Sequence, residues 1–77
     1  MLMTLDGKLV GRRVRALREA TDPRMSQQDL ASAADLTLSA LFRLEKGRTT
    51  DPRLSTIVRL AAALDVAVDE LIREEKP

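Results

Sequence analysis

Apolar residues recur along this chain at helical spacing, without the sustained alternation of a half-buried strand. Val10, Val14 and Leu17 fall at i, i+4 and i+7 and set one apolar stripe along a first helix. Asp6 stands ahead of it as a candidate N-cap, and the helix is expected to end near Ala20, before Thr21-Asp22-Pro23. Ser26 and Asp29 have the spacing of a reciprocal cap, so a short second helix begins there, buries Leu30, Ala31 and Ala34, and breaks at Asp35. Thr37 caps a third helix from Leu38 to Lys46, closed by Gly47 in the positive-φ conformation. After Arg48-Thr49-Thr50-Asp51-Pro52 the spacing predicts a fourth helix with Leu54, Ile57, Val58, Ala61 and Leu64 on one stripe. A shorter fifth helix holds Val68, Leu71 and Ile72.

Composition narrows this picture to an all-α domain. A chain of 77 residues supports one small core, because at this size folding buries only about 60% of the surface that the unfolded chain exposes. That core is aliphatic, since Phe42 is the only aromatic. Three Gly and three Pro leave little turn chemistry for a many-stranded sheet. The absence of Cys and His removes disulfides, thiolate nucleophiles, Cys/His zinc sites and imidazole acid–base chemistry together, so neither an enzyme nor a cofactor is expected. Leu60 to Leu64, the longest apolar run, is far shorter than the ~20 residues of a membrane span. Met1 to Leu5 is too short for a signal peptide, and the expected location is the cytoplasm.

Charge is segregated although the net value is only +1. Residues 8–59 carry eleven Lys/Arg against six Asp/Glu, and residues 60–77 carry two against five. A basic body with an acidic end points to a polyanionic partner facing the body.

Residues 26–47 give two short helices joined by about three residues, with the small Ala31 where the helices cross and Leu30, Leu36, Leu41 and Leu44 as shared apolar filling. That set describes a helix-turn-helix. The string Ser26-Gln27-Gln28-Asp29-Leu30-Ala31, then Leu36-Thr37, Leu41, Leu44-Glu45-Lys46-Gly47, then Leu60-Ala61-x-x-Leu64-Asp65-Val66, resembles the XRE family of phage Cro- and repressor-type DNA-binding domains. The resemblance runs from about Val10 to Ile72. It implies a compact five-helix, lambda-repressor-like domain that binds operator DNA as a homodimer with its third helix in the major groove. Asp35 stands where the family has a turn Gly, and Asp65 where a Gly ends the fourth helix. Asp tolerates left-handed conformations, so both departures keep the fold. The connection around Thr21 to Arg24 is longer by about two residues than in the shortest members of the family.

On the third helix, Leu38, Ser39, Phe42, Arg43 and Lys46 share one exposed arc opposite Leu41 and Leu44. The resemblance implies that Thr37, Leu38, Ser39 and Arg43 touch base edges. Arg43 offers a bidentate fork to guanine, and Leu38, with nothing to donate or accept, is left a thymine methyl. Phe42 is read in two ways, as peripheral core folded over Leu38 or Leu41, or as a contact to sugar or a thymine methyl. DNA-backbone contacts are expected from Ser26 and Gln27, and from Lys46, Arg48, Thr49, Thr50 and Arg53 around the loop that follows, with Asp51 diluting the charge. For Gln27 the plain alternative is an ordinary polar residue at a helix start. Arg18 and Glu45 match a family pair that links the first helix to the recognition helix. Lys8, Arg12 and Arg15 are expected on a solvated face.

Leu64, Val66, Val68, Leu71 and Ile72 are divided between core and a two-fold dimer contact, which the apolar arm Met1 to Leu5 joins. Asp69, Glu70, Glu74 and Glu75 are read as solvated acids and not as a metal site. The expected organisation is an arm over 1–7, the helix-turn-helix domain over 8–73 and an acidic tail over 74–77. The expected function is a sequence-specific transcriptional regulator on a palindromic operator, similar to restriction-modification controllers, small phage repressors or antitoxins. Its expected partners are double-stranded DNA and a second copy, with another protein as a further candidate, and no membrane or small-molecule substrate is expected. The alternative is a protein-interaction module that uses Leu38 and Phe42 as an apolar docking face.

Overall fold

The computed structural model of the protein describes residues 5–73. Residues 1–4, most of the apolar arm, and the tail 74–77 with Glu74 and Glu75 lie outside the described residues. Five helices follow one another: α1 (Gly7–Glu19), α2 (Gln27–Ala33), α3 (Leu38–Glu45), α4 (Leu54–Leu64) and α5 (Asp69–Ile72). Among the described residues there is no strand, and no helix is long and apolar enough to cross a membrane.

Side-chain caps set where the first three helices start. The Asp6 carboxylate accepts from the backbone N–H of Lys8 at 3.0 Å and of Leu9 at 3.2 Å. Ser26 Oγ accepts from Asp29 N–H at 3.0 Å while Asp29 Oδ2 accepts from Ser26 N–H at 3.2 Å, which completes the reciprocal cap of α2. Thr37 Oγ1 accepts from Ala40 N–H at 3.0 Å. Each such cap stabilises its helix by about 1 kcal/mol. α1 begins at Gly7, the last residue of the span 1–7 expected as an arm.

Three helices end on a left-handed residue. Asp35 (φ 56°), Gly47 (φ 75°) and Asp65 (φ 58°) each turn the chain so that the next N–H reaches back to a carbonyl five residues earlier: Leu36 to Ala31, Arg48 to Arg43, Val66 to Ala61. The two Asp residues thus take the conformation that the family pattern assigns to Gly. This closure turns the chain sharply from α2 into α3 and exposes one face of α3.

α1 packs on α3, α4 and α5, and α2 packs on α3 and α4. The centre is filled by Val10, Val14, Leu30, Leu41, Ile57, Leu60 and Leu71, all fully buried. Burial of each stabilises the fold by about 1.5–3 kcal/mol. Two expectations need correction here. The buried stripe of α4 is Ile57, Leu60, Ala61 and Leu64, while Leu54 and Val58 remain 61% and 47% exposed. Ser55, Thr56 and Arg59 share one side of α4, and Leu54 and Val58 flank its apolar stripe, so periodicity left the edge of the buried face open and the neighbours α1, α2 and α5 chose it. Leu64 and Leu71 also belong to the core of a single protomer, at 8% and 0% exposure, and are removed from the dimer contact. Leu71 is held there because α5 lies along α1, where Arg13 Nη1 donates to the Glu70 carbonyl at 3.2 Å.

Candidate nucleic-acid interface

α3 is placed by an unusually close approach of α1. A Cβ built on Gly11 would overlap the Leu44 carbonyl oxygen, and one on Gly7 would overlap the Thr49 carbonyl oxygen. Two glycines on one side of α1 therefore let its backbone lie directly on α3 and on the loop after it. Pro52 is buried and pins the far end of that loop.

Across the same contact runs the Arg18–Glu45 pair. Arg18 Nε and Nη2 donate to Glu45 Oε2 and Oε1 at 2.8 and 2.9 Å, and the two side chains are 8% and 3% exposed. The remaining arm, Nη1, donates to the Met25 carbonyl at 3.0 Å, and Gln27 Nε2 donates to Glu45 Oε1 at 2.9 Å. The hydrogen bond to Glu45 raises the Arg18 guanidinium above its ordinary value, against the desolvation that lowers it. Every charge here is paired, so the cluster orients α1, the start of α2 and α3 relative to one another.

With α3 so held, Leu38, Ser39, Phe42, Arg43 and Lys46 are exposed along one face, and Leu41, Leu44 and Glu45 are buried on the other. Lys46 Nζ sits 5.4 Å from the centroid of the Phe42 ring. The ring is 40% exposed and Leu38 44%, so Phe42 is not folded into peripheral core. The Thr37 hydroxyl, which accepts from Ala40, keeps its own proton for an outside acceptor.

A cleft lies on each side of this face. On the α1 and α2 side, Ser26, Gln27 and Lys46 meet Phe42 and Arg15 around a volume of about 430 Å³. On the other, Arg43, Thr49, Asp51, Pro52 and Arg53 meet around about 270 Å³. Arg15 is exposed, as expected, and it also lines the first cleft. Its signal in the sequence is its place three residues before Arg18, which turns it toward the same side of α1. Arg48 and Thr50 are exposed on the loop but line neither of these two clefts.

The cations differ in how they are satisfied. Arg15 and Arg24 are paired with Glu19, and Arg73 with Asp69. Arg43, Lys46, Arg48 and Arg53 form no ion pair among the described residues. Four cations without an ion pair among the described residues thus lie on and beside the exposed face of α3, with Asp51 in the cleft that Arg43 and Arg53 line. No group of three or more acidic, His or Cys side chains among the described residues is arranged to hold a metal ion.

The helix-turn-helix family HTH_3 matches residues 14–71, which contain the whole α2–α3 unit and the clefts beside it. The chain belongs to this family of XRE-type helix-turn-helix proteins. It is 36% identical over 66 residues to the immunity repressor protein of Bacillus phage phi105, a match that spans 86% of this chain and 44% of that repressor. Among solved structures it is similar to the restriction-modification controller protein C.AhdI from Aeromonas hydrophila, with TM-score 0.76, 35% identity, and 86% and 96% of the two chains covered. It is also similar to the P22 c2 repressor protein in complex with a synthetic operator, with TM-score 0.73, 25% identity, and 87% and 97% covered.

Proposed function

We propose that this protein is a sequence-specific DNA-binding transcriptional regulator that occupies a palindromic operator as a homodimer. The observation that carries the reading is the exposed face of α3 between two clefts, with unpaired cations on and beside it. A helix in the major groove, about 12 Å wide, has a phosphate strand on either side. The α3 face and its flanking clefts have that layout. Thr37, Leu38, Ser39 and Arg43 read base edges. Ser26, Gln27 and Lys46 meet one strand, while Arg48, Thr49, Thr50 and Arg53 meet the other. Gln27 has one amide hydrogen engaged by Glu45 and the second left for a phosphate oxygen.

The relatives support the same reading, since one is a phage repressor, one a restriction-modification controller and one a repressor in complex with a synthetic operator. A lone helix-turn-helix reads too few base pairs to find one site in a genome. A second copy supplies the other half-site, its centre about 34–36 Å away. Val66, Val68 and Ile72, half-buried at the edge of the core, are the part of the expected seam still available to it.

The exposed Leu38 and Phe42 favour a second reading, a docking face for another protein. The cations around them support DNA instead. Enrichment of bound duplexes from a randomised pool tests the choice. The DNA reading expects a palindromic site to emerge, and a pool that stays random contradicts it.

A further inference from the structure

Leu38 and Phe42 stand one helical turn apart on α3, at 44% and 40% exposure, and present the apolar part of an otherwise polar and cationic face. Neither side chain can donate or accept a hydrogen bond. Lys46 extends the row by a further turn and covers part of the ring, with its ammonium 5.4 Å from the centroid. Arg43 lies on the same exposed face, and Arg15 borders the Phe42 cleft. An apolar pair inside such a frame fits a polyanion that itself displays an apolar group. In the major groove that group is the C5-methyl of a pyrimidine. The edges of guanine, adenine and unmethylated cytosine offer donors and acceptors that a leucine and a phenyl ring would desolvate without replacing.

We propose that Leu38 and Phe42 form a methyl-sensing patch that recognises the C5-methyl group of one pyrimidine in each half-site, so that binding responds to cytosine methylation as well as to thymine. Thymine and 5-methylcytosine carry this methyl on the same ring carbon, facing the major groove. The patch therefore tells thymine from uracil and 5-methylcytosine from cytosine by the same contact. Arg43 and Ser39, on the other side of the face, remain free to read the polar edges of neighbouring bases. This inference rests on the DNA reading above and adds to it the chemical class of group recognised.

The test uses the full chain and the site enriched from a randomised duplex pool. At each pyrimidine of one half-site, the affinity for thymine is compared with that for deoxyuridine in the same pair, and the affinity for 5-methylcytosine with that for cytosine. Burial of one methyl corresponds to about a fourfold change in affinity. The expected result is one position at which both ratios favour the methylated base by about fourfold. Leu38→Ala and Phe42→Ala should each bring both ratios toward one while circular dichroism stays that of the wild type. Methyl ratios that persist unchanged in both folded variants overturn the assignment of the patch to Leu38 and Phe42. An enriched site at which every ratio stays near one overturns this inference and leaves the DNA reading standing. A pool in which no sequence is enriched overturns both.

Discussion

Arg18 on α1 and Glu45 at the end of α3 form a two-pronged ion pair, 2.8 and 2.9 Å long, whose carboxylate also accepts from Gln27 at 2.9 Å. Both side chains are nearly dry. Removal of either partner strands a buried charge, so Arg18→Ala or Glu45→Ala is expected to destabilise the fold by about 3–5 kcal/mol. Joint replacement by apolar residues, Arg18→Met with Glu45→Leu, should recover most of that stability. It would still release Gln27 and with it the orientation of the α2 start. Denaturant unfolding alongside DNA affinity separates these effects: the double variant should be stable yet bind more weakly than wild type. Full affinity in the stable double variant would show that the pair does not position the interface.

Gly11 lies inside a helix, where Ala would ordinarily gain about 0.5–1 kcal/mol. Its missing Cβ is instead what lets α1 touch the Leu44 carbonyl. Overpacking of such a contact costs about 1–3 kcal/mol, which exceeds the helix gain. Gly11→Ala is therefore expected to lower the midpoint of thermal unfolding, and a raised midpoint would refute the close approach.

Glu19 has an acid-sensitive contact with two arginines. Desolvation pushes its carboxyl up, but Arg24 at 2.6 Å and Arg15 at 3.4 Å outweigh that and hold it below the ordinary value of 4.5. A carboxyl lowered in the folded state contributes stability that is present above its unfolded pKa and is lost as pH falls through the folded one. The site is solvated and the contribution small. An NMR titration should find the Glu19 midpoint lower than an unperturbed glutamate, and Arg24→Ala should move it upward. An unmoved midpoint would remove Arg24 as the cause.

For the homodimer, Val66→Glu and Val68→Glu should split the assembly in sedimentation while the helical circular dichroism persists. Leu54→Ser and Val58→Ser, on the exposed face of α4, should leave it intact. The opposite pattern would move the seam to α4. A wild type that remains monomeric at high concentration and on DNA would end the dimer reading.

The caps at Asp6, Ser26 and Thr37 and the stops at Asp35, Gly47 and Asp65 were legible in the chain because each acts within a few residues. The exposed arc of α3 was legible for the same reason, as Leu41 and Leu44 fix which side is buried. What stayed hidden depends on partners distant in sequence. Leu54 and Val58 read as core because they flank the apolar stripe of α4, and Leu71 stayed divided between core and dimer contact because the docking of α5 on α1 leaves no local mark. Gly11 signals nothing until α3 is seen against it, and the cleft that brings Arg15 to Gln27 and Phe42 is assembled from three helices.

The salt dependence of DNA binding tests the central claim most directly, because each phosphate met by Lys46, Arg48 or Arg53 releases counterions on binding. Fluorescence anisotropy on the enriched duplex, from low to moderate salt, yields the slope of log K against log salt. The account predicts a steep negative slope for the wild type. It becomes shallower by about two units in Arg48→Ala, one for each copy in the homodimer, and by as much again in Arg53→Ala, with affinity lost alike on all sequences. A flat slope in the wild type, or slopes unchanged by both substitutions, would contradict it.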